Sequence, residues 1–210
     1  MKKIALLLLS MLPLITFAQF KKGDVFLGGT LSTSLQNTDS RTSPFSASNA
    51  TNNSFGISPS IGFFINSKIA IGASPIYNTS KQVQTFSAST TTGKSNSYGV
   101  GSFVRYYLPI SNSIYFTLQG SVSFLRGTSE TTQVNGTTVN TIIEQSQYTV
   151  SALAKPVFIF FPSPKWGIET GFGSLSYNYT RLLPDSGAST GFGLNAGTFT
   201  FGVSYYFIKK

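Results

Sequence analysis

The sequence contains no cysteine and no histidine in 210 residues. Without cysteine the chain has neither disulfides nor thiolate metal sites. Without histidine it lacks the commonest general base and metal ligand. Charge is also scarce, because Asp, Glu, Lys and Arg make up 10% of the residues, against about 25% in soluble domains. No stretch after residue 20 approaches the ~20 apolar residues of a transmembrane helix.

Aromatic residues are plentiful at 14%, whereas disordered chains are poor in them. The length suits one domain or at most two. The formal charge of +9 falls to +7 once Lys2 and Lys3 are set aside. The remaining basic residues are scattered and not clustered, which argues against nucleic acid as a partner.

The first residues have the pattern of a secretory signal. Lys2 and Lys3 precede an apolar run over residues 4–17, and Ala18 supplies the small residue before a cleavage site. The alternative is a membrane anchor, but the run is short for a span and Pro13 interrupts it. We therefore predict a signal peptide over 1–18 and a mature domain over 19–210.

Beyond the signal, apolar and polar residues alternate with period two, which predicts β-strands. Over residues 54–66 one face carries Phe55, Ile57, Ile61, Phe63 and Ile65. Eight such runs lie near 24–36, 54–66, 68–80, 96–109, 113–126, 145–161, 165–180 and 191–208. They are longer than the ~5–6 residues of a globular strand and reach the ~9–11 that a membrane strand needs.

The connections between these runs alternate in length. Three are tight turns rich in Pro, Ser and Asn, at 66–68, 109–113 and 162–165. The other four are predicted to be long polar loops, over roughly 37–53, 81–95, 127–144 and 181–190. Strict alternation places every short turn at one end of a meander and every long loop at the other.

The polar strand face is mostly small, and large rings gather near the strand ends. The short-turn end has Phe26, Phe63, Tyr106, Phe116, Phe160, Trp166, Tyr205 and Phe207, and the long-loop end has Phe55, Tyr77, Tyr98, Phe124, Tyr148 and Tyr179. Two aromatic girdles around an apolar band are typical of a barrel that crosses a membrane. A β-sandwich and a soluble exported barrel with a polar outer wall are the alternatives.

If lipid surrounds the strands, the sheet must close into a barrel, because every backbone donor and acceptor then needs a partner within the protein. Eight strands leave an interior just wide enough for side chains to fill. The prediction is therefore a packed barrel and not an open pore.

The last strand carries a further signal. Thr200, Gly202, Tyr205 and Phe207 resemble the C-terminal motif of bacterial outer-membrane barrels, although Ile208–Lys210 extend past its usual end. The mature chain as a whole resembles the small OmpA/OmpX-type family. That resemblance implies an all-β, eight-stranded antiparallel up-and-down transmembrane barrel in the outer membrane. It also implies membrane lipid and the barrel-assembly machinery as partners.

Three prolines fall inside these strands. Around the turn at Ser67, Pro59 and Pro75 come out opposite each other, and Pro156 lies in the sixth run. Since proline cannot donate to a ladder, we predict bulges or skipped bonds at all three. As a non-hydrogen-bonded pair, Pro59 and Pro75 would point their missing donors at strands one and four.

Three charged residues, Arg105, Lys155 and Glu169, fall on the face predicted to line the lumen. The turn at 162–165 would place Glu169 across from Val157 and diagonal to Lys155. Because a lone buried charge costs several kcal/mol, these groups should pair or be hydrated. The structural interpretation is a salt-bridge network that fills the lumen, and the functional alternative is a proton or ligand site. The Gly-x-Gly triplets at 99–101, 171–173 and 191–193 are interpreted as small residues that pack against the lumen.

The sequence predicts no cofactor, no metal site and no enzyme, because its carboxylates are widely spread and histidine is absent, although a Ser–Lys dyad or paired carboxylates would remain possible. We predict a non-enzymatic outer-membrane barrel that acts in envelope structure, adhesion or surface interaction. The loops could bind protein partners. Basic loop residues, Arg41, Lys81 and Lys94, could contact lipopolysaccharide phosphates. Alternatives are a subunit of a secretion, transport or motility assembly, and a narrow channel or membrane enzyme.

Overall fold

The chain forms one closed antiparallel β-barrel in which each strand pairs with its neighbours in sequence. The computed structural model describes residues 20–43, 46–86, 89–136, 138–184 and 187–208, and the predicted signal peptide lies outside them. The strands are β1 Val25–Ser43, β2 Ser46–Phe64, β3 Ile69–Phe86, β4 Ser89–Pro109, β5 Ile114–Asn135, β6 Thr138–Ser163, β7 Trp166–Leu183 and β8 Ala188–Phe207. The predicted eight-stranded up-and-down barrel is confirmed. No helix among the described residues is long and apolar enough to cross a membrane.

The strands continue far into the segments predicted to be long loops, so that part of the prediction is wrong. The β2–β3 ladder reaches Ser48 opposite Phe86, and the β4–β5 ladder reaches Ser89 opposite Asn135. Threonine and other polar residues dominate both faces there, which removes the period-two signal while leaving a backbone that can pair. The three short turns are confirmed; in the first, the Asn66 side chain accepts hydrogen bonds from two backbone N–H groups at 2.8 Å.

The outer wall of the barrel is apolar and the inner wall is largely polar. Outward-facing residues that are strongly exposed include Leu27, Ile57, Ile61, Phe63, Val100, Val104, Leu118, Val122, Phe124, Ile168 and Val203. Between them, glycine and serine face inward. This is the reverse of a water-soluble barrel, whose outer wall would be polar, and it is the arrangement of a barrel that faces lipid.

The prolines interrupt the ladders as predicted. Between β2 and β3 the pairing stops after Ile57 and resumes at Ile61, which leaves Pro59 and Pro75 unpaired with each other. The Ser74 hydroxyl donates to the Pro59 carbonyl at 2.6 Å in this gap. Pro156 lies at a register shift between β6 and β7. The predicted direction was wrong, because the gap lies between β2 and β3, whereas the ladders to β1 and β4 continue.

Gly173 forms a bulge in β7 and is not simply a small lumen residue, which corrects the prediction. Its φ of 67° is one that L side chains rarely adopt. The extra residue changes which positions face outward, so that Phe172 and Leu175 are both exposed on the outer wall. The β7–β8 register shifts at the same level, between Phe172 and Ser174.

The seam that closes the barrel is short. β1 pairs with β8 only from Val25–Phe207 to Thr30–Gly202. Beyond that level the described parts of β1 and β8 do not pair with each other, although each remains paired on its other side. The most exposed large apolar side chains flank this opening, with Leu35 and Leu194 each 77% exposed and Phe192 73% exposed. The end of the barrel opposite the three short turns, called the hairpin end below, therefore has an open side. There the described edges of β1 and β8 do not pair with each other.

Two glycines, Gly99 of β4 and Gly120 of β5, allow a matched test of how closely neighbouring strands approach each other. A Cβ at Gly99 would collide with the Phe124 carbonyl oxygen, whereas one at Gly120 would meet only a Val104 methyl group at 3.6 Å. We expect Gly99→Ala to lower the free energy of unfolding by about 1–3 kcal/mol, because backbone must move. Gly120→Ala should change it by less than about 0.5 kcal/mol. Urea unfolding in lipid vesicles measures both, and equal effects would contradict the close approach at Gly99.

Candidate functional site in the barrel lumen

Aromatic side chains close the short-turn end of the lumen. The buried aromatic residues at this end include Phe20, Phe26, Phe64, Tyr107, Tyr115, Phe161 and Tyr206. Phe26, predicted to join the outer girdle, is instead fully buried and stacks on Tyr206 with ring centroids 5.3 Å apart. The prediction failed because a closed barrel needs large inward side chains near its end as well as outward ones. These rings form a floor that blocks the lumen.

Phe20 lies at the centre of this floor, although sequence reasoning gave it no role. Its ring stacks on Phe64 at 4.2 Å and also contacts Tyr107 and Tyr206 at 5.1 and 5.2 Å. A turn directs it inward: the Lys21 N–H donates to the Asp24 carboxylate at 2.8 Å. Gly23, with φ of 88°, makes this turn possible. The segment before β1 is thus part of the barrel interior.

Above the floor, Arg105 of β4 crosses the lumen to Glu169 of β7. Its Nη1 lies 2.8 Å from Glu169 Oε1, and Nε and Nη2 donate to Gln119 Oε1 at 3.0 and 2.7 Å. The guanidinium also lies over the Phe26 ring, 5.3 Å from its centroid. Since a buried charge is costly unless it is paired, this contact satisfies both ions. The pair ties opposite walls of the barrel together.

Glu169 reaches Arg105 through a register that differs from the predicted one. It lies across from Ile159 and not Val157, because a tighter turn closes with Ser163 opposite Trp166. Lys155 lies opposite Gln119 on the next strand and lines the same cavity as Glu169. Among the described residues no carboxylate lies within ion-pair distance of Lys155. The structure therefore brings two of the three predicted lumen charges into contact and leaves the third facing open space.

A cavity of about 400 Å³ lies above the Arg105–Glu169 pair. Its lining is rich in hydroxyl and amide groups: Ser58, Ser60, Ser74, Ser121, Ser123, Ser151, Ser176, Gln119 and Asn178. The prediction of a lumen filled by side chains thus holds for the short-turn half and is wrong for the other half. Serine and glycine are too small to fill the space that eight strands enclose.

Outside the barrel, two rows of large side chains lie at different heights, one of aromatic rings and one of tyrosines with two arginines. Apart from Phe26, the residues predicted for the short-turn girdle face outward there, with Trp166 and Tyr205 edge to face at 5.0 Å: Phe63, Tyr106, Phe116, Phe160, Trp166, Tyr205 and Phe207. The other row runs across five strands: Tyr77, Tyr98, Arg126, Tyr148 and Arg181. On β4, Tyr98 and Tyr106 are about 27 Å apart along the strand. At the ~35–45° tilt of membrane strands this spans about 19–22 Å of the ~25 Å apolar band of membrane barrels.

The C-terminal motif occupies the closing strand. Gly202 pairs with Thr30 and Phe207 with Val25, at the two ends of the β1–β8 ladder. Phe207 is exposed on the outer wall, while Gly202 faces the lumen near Glu169. The motif thus coincides with the short seam that closes the barrel.

The register also brings acidic residues together that are distant in sequence. Glu130 lies opposite Glu144, with Lys94 on its other side. They lie on the outer face of the hairpins, away from the lumen. No group of three or more potential metal ligands occurs in the described part of the chain.

No protein-family profile matches the chain, and no curated protein matches it in sequence. Among solved structures, the chain is similar to Ail, the attachment invasion locus protein of Yersinia pestis, with 16% identity and a TM-score of 0.42, over 89% of this chain and 99% of that one. It is also similar to the outer membrane protein OprG from Pseudomonas aeruginosa, with 11% identity and a TM-score of 0.44, over 92% and 100%. The ferric citrate transporter FecA matches with 9% identity and a TM-score of 0.32, over 93% of this chain and 43% of that one. At these values the function has to be argued from this chain's own residues.

Proposed function

We propose that the protein is a non-enzymatic barrel integral to the bacterial outer membrane, reached by export across the inner membrane. The apolar outer wall between the two rows of large side chains supports this proposal, because it would be costly in water and is suited to lipid. The aromatic floor supports a role other than conduction. Planar-bilayer recordings should accordingly show no steady conductance.

The biological role that the structure supports best is surface interaction through the extended hairpins. Past the row that contains Tyr98, β4 continues to Ser89, which adds about 30 Å of strand beyond the apolar band. The observation that supports this role is the open side between β1 and β8. In the described residues beyond Thr30 and Gly202, these two strand edges do not pair with each other. Free edges bind extended polypeptide by strand addition. The partner would be an extended protein segment that pairs with these edges.

Lipopolysaccharide is a proposed second partner at the membrane surface. Arg126 and Arg181 lie in the row of tyrosines at the hairpin end, and Arg126 lies over the Tyr148 ring at 5.8 Å. Arginine at this height can donate paired hydrogen bonds to lipid phosphates. Lys81 and Lys94 lie opposite each other farther along the hairpins, whereas the side chain of Arg41 lies outside those described. Arg126→Gln with Arg181→Gln should reduce lipopolysaccharide retained on purification, and Lys165→Gln at the opposite end should not.

The test of surface interaction is affinity purification from the native outer membrane after mild detergent extraction, with partners identified by mass spectrometry. Leu31→Lys with Leu35→Lys places charge on the free edge of β1, which opposes strand addition. Val139→Lys is the matched control, because Val139 is exposed on another hairpin. We expect the double variant to lose the partner and the control to keep it. Retention by both variants would contradict binding at the open edge.

An assembly subunit is the second candidate, favoured by a groove on the outer wall. The groove has a volume of about 590 Å³, and its base includes Gly120, Ala152 and Ala154, with Tyr177 and Phe192 beside it. Small residues allow another membrane protein to approach closely. A fixed set of co-purifying partners that survives charge on the β1 edge would support this role. The barrel-assembly machinery remains a predicted partner of Thr200, Gly202, Tyr205 and Phe207.

A further inference from the structure

We propose that the lumen cavity is a binding site for a small hydroxylated carboxylate, with the Lys155 ammonium as its counter-ion. The proposal is independent of the surface interaction proposed above. It depends on the charge, the lining and the shape of the cavity.

The charge of the cavity is unbalanced. Its lining contains the cations Arg105 and Lys155 and the carboxylate Glu169. Glu169 is already bound by Arg105, whose Nε and Nη2 are taken by Gln119. Lys155 therefore faces the cavity as a cation without a carboxylate of its own within the described residues. Because a cation removed from bulk water is stabilised by an anion at close range, this position favours a negatively charged ligand.

The lining indicates that the ligand also carries hydroxyl groups. Ser121 and Ser123 lie on β5 at the inward positions next above Gln119, and neither side chain takes part in a side-chain hydrogen bond among the described residues. Other serines already have partners, such as Ser151, which donates to Asn178 at 2.6 Å. The available hydroxyls can donate and accept, as sugar-like hydroxyls do. The volume of about 400 Å³ lies within the range of small-molecule sites, ~300–1,000 Å³.

The shape favours binding over passage. The rings of Phe20, Phe64 and Tyr107 close one end of the lumen. At the other end, Gly29 and Thr30 belong to the cavity wall and also to the last paired positions of the β1–β8 seam. A solute can thus reach Lys155 from the open side of the hairpins and cannot continue through the floor.

The test uses the full mature chain in detergent micelles, with D-gluconate as the probe and D-glucose as a neutral hydroxylated probe. Titration calorimetry gives the affinity, and amide chemical shifts at Gln119 and Ser121 show the location. We expect gluconate to bind at least about tenfold more tightly than glucose, a difference that corresponds to about 1.4 kcal/mol. Equal binding of the two probes, or no saturable binding of gluconate, would overturn the proposal.

Three variants identify the counter-ion. Lys155→Met should weaken gluconate binding by about tenfold and leave glucose unchanged, while Lys155→Arg should retain most of the affinity. Lys165→Met removes a lysine from a turn outside the cavity and should have no effect. Comparison of heated and unheated samples of each variant with wild type on a gel tests whether the variant is folded. Wild-type gluconate affinity in a folded Lys155→Met variant would show that Lys155 is not the counter-ion and would overturn the assignment.

Discussion

Replacing Glu169 with Gln should lower the free energy of unfolding by about 3–5 kcal/mol. The Arg105 and Glu169 side chains are only 6% and 13% exposed, and their charged atoms lie 2.8 Å apart. Removal of the carboxylate charge leaves the guanidinium in the lumen with Gln119 as a neutral partner. Urea unfolding in lipid vesicles, followed by the fluorescence of the single tryptophan, Trp166, measures the change.

The double variant Arg105→Met with Glu169→Gln separates the ion pair from general packing. Because neither charge then remains uncompensated, we expect it to be destabilised by less than the sum of the two single changes. A coupling energy of about 1–3 kcal/mol is expected for residues in contact. Lys94→Met, at an exposed cross-strand position next to Glu130, is the control and should have little effect. Strict additivity of the two lumen substitutions would mean that the pair does not tie the walls together.

The parts of this fold that the sequence predicts are those governed by the two-residue strand period. The residues Phe55, Ile57, Ile61 and Phe63 face outward as expected, because a one-residue slip would reverse every side chain. The short turns follow from local Asn, Pro and Ser chemistry, as at Asn66. Both signals are local, and each can be recognised without knowing which strands are neighbours.

Other features depend on contacts that no local pattern encodes. The contact between Arg105 and Glu169 spans opposite walls, so it depends on barrel closure and on a turn register in which Glu169 lies across from Ile159 and not Val157. Gln119 carries no charge and was therefore not distinguished from other polar lumen residues. One signal was available for the β7 bulge: the outward apolar residues change from even positions, ending at Phe172, to odd positions from Leu175.

Phe20 shows why the lumen floor was missed. It precedes the first alternating run, beside the predicted signal peptide, and nothing in the local sequence indicates burial. Its neighbours Phe64, Tyr107 and Tyr206 come from three different strands, which meet only when the barrel closes. The inward aromatic positions also interrupt the small-residue pattern of the lumen face. In this barrel the larger inward rings mark the closed end.

Phe20→Ala should lower the free energy of unfolding by about 3–5 kcal/mol, in the range of other buried Phe→Ala changes. The ring is 3% exposed and stacks on Phe64 at 4.2 Å. Its loss leaves a cavity that Phe64, Tyr107 and Tyr206 cannot readily fill, because each is fixed to a paired strand. Urea unfolding in vesicles again gives the energy. Phe20→Leu should cost less, since it retains part of the buried volume.

The matched control is Phe192→Ala, because Phe192 is 73% exposed on the outer wall. It should change stability by less than about 1 kcal/mol, which separates the effect of burial from the loss of a phenylalanine. If Phe20→Ala were as mild as Phe192→Ala, the segment before β1 would contribute nothing to the interior. A large loss confined to Phe20 would instead show that the floor depends on a residue outside the strands. The β1–β8 ladder would then close the sheet, and the Phe20 ring would close the lumen.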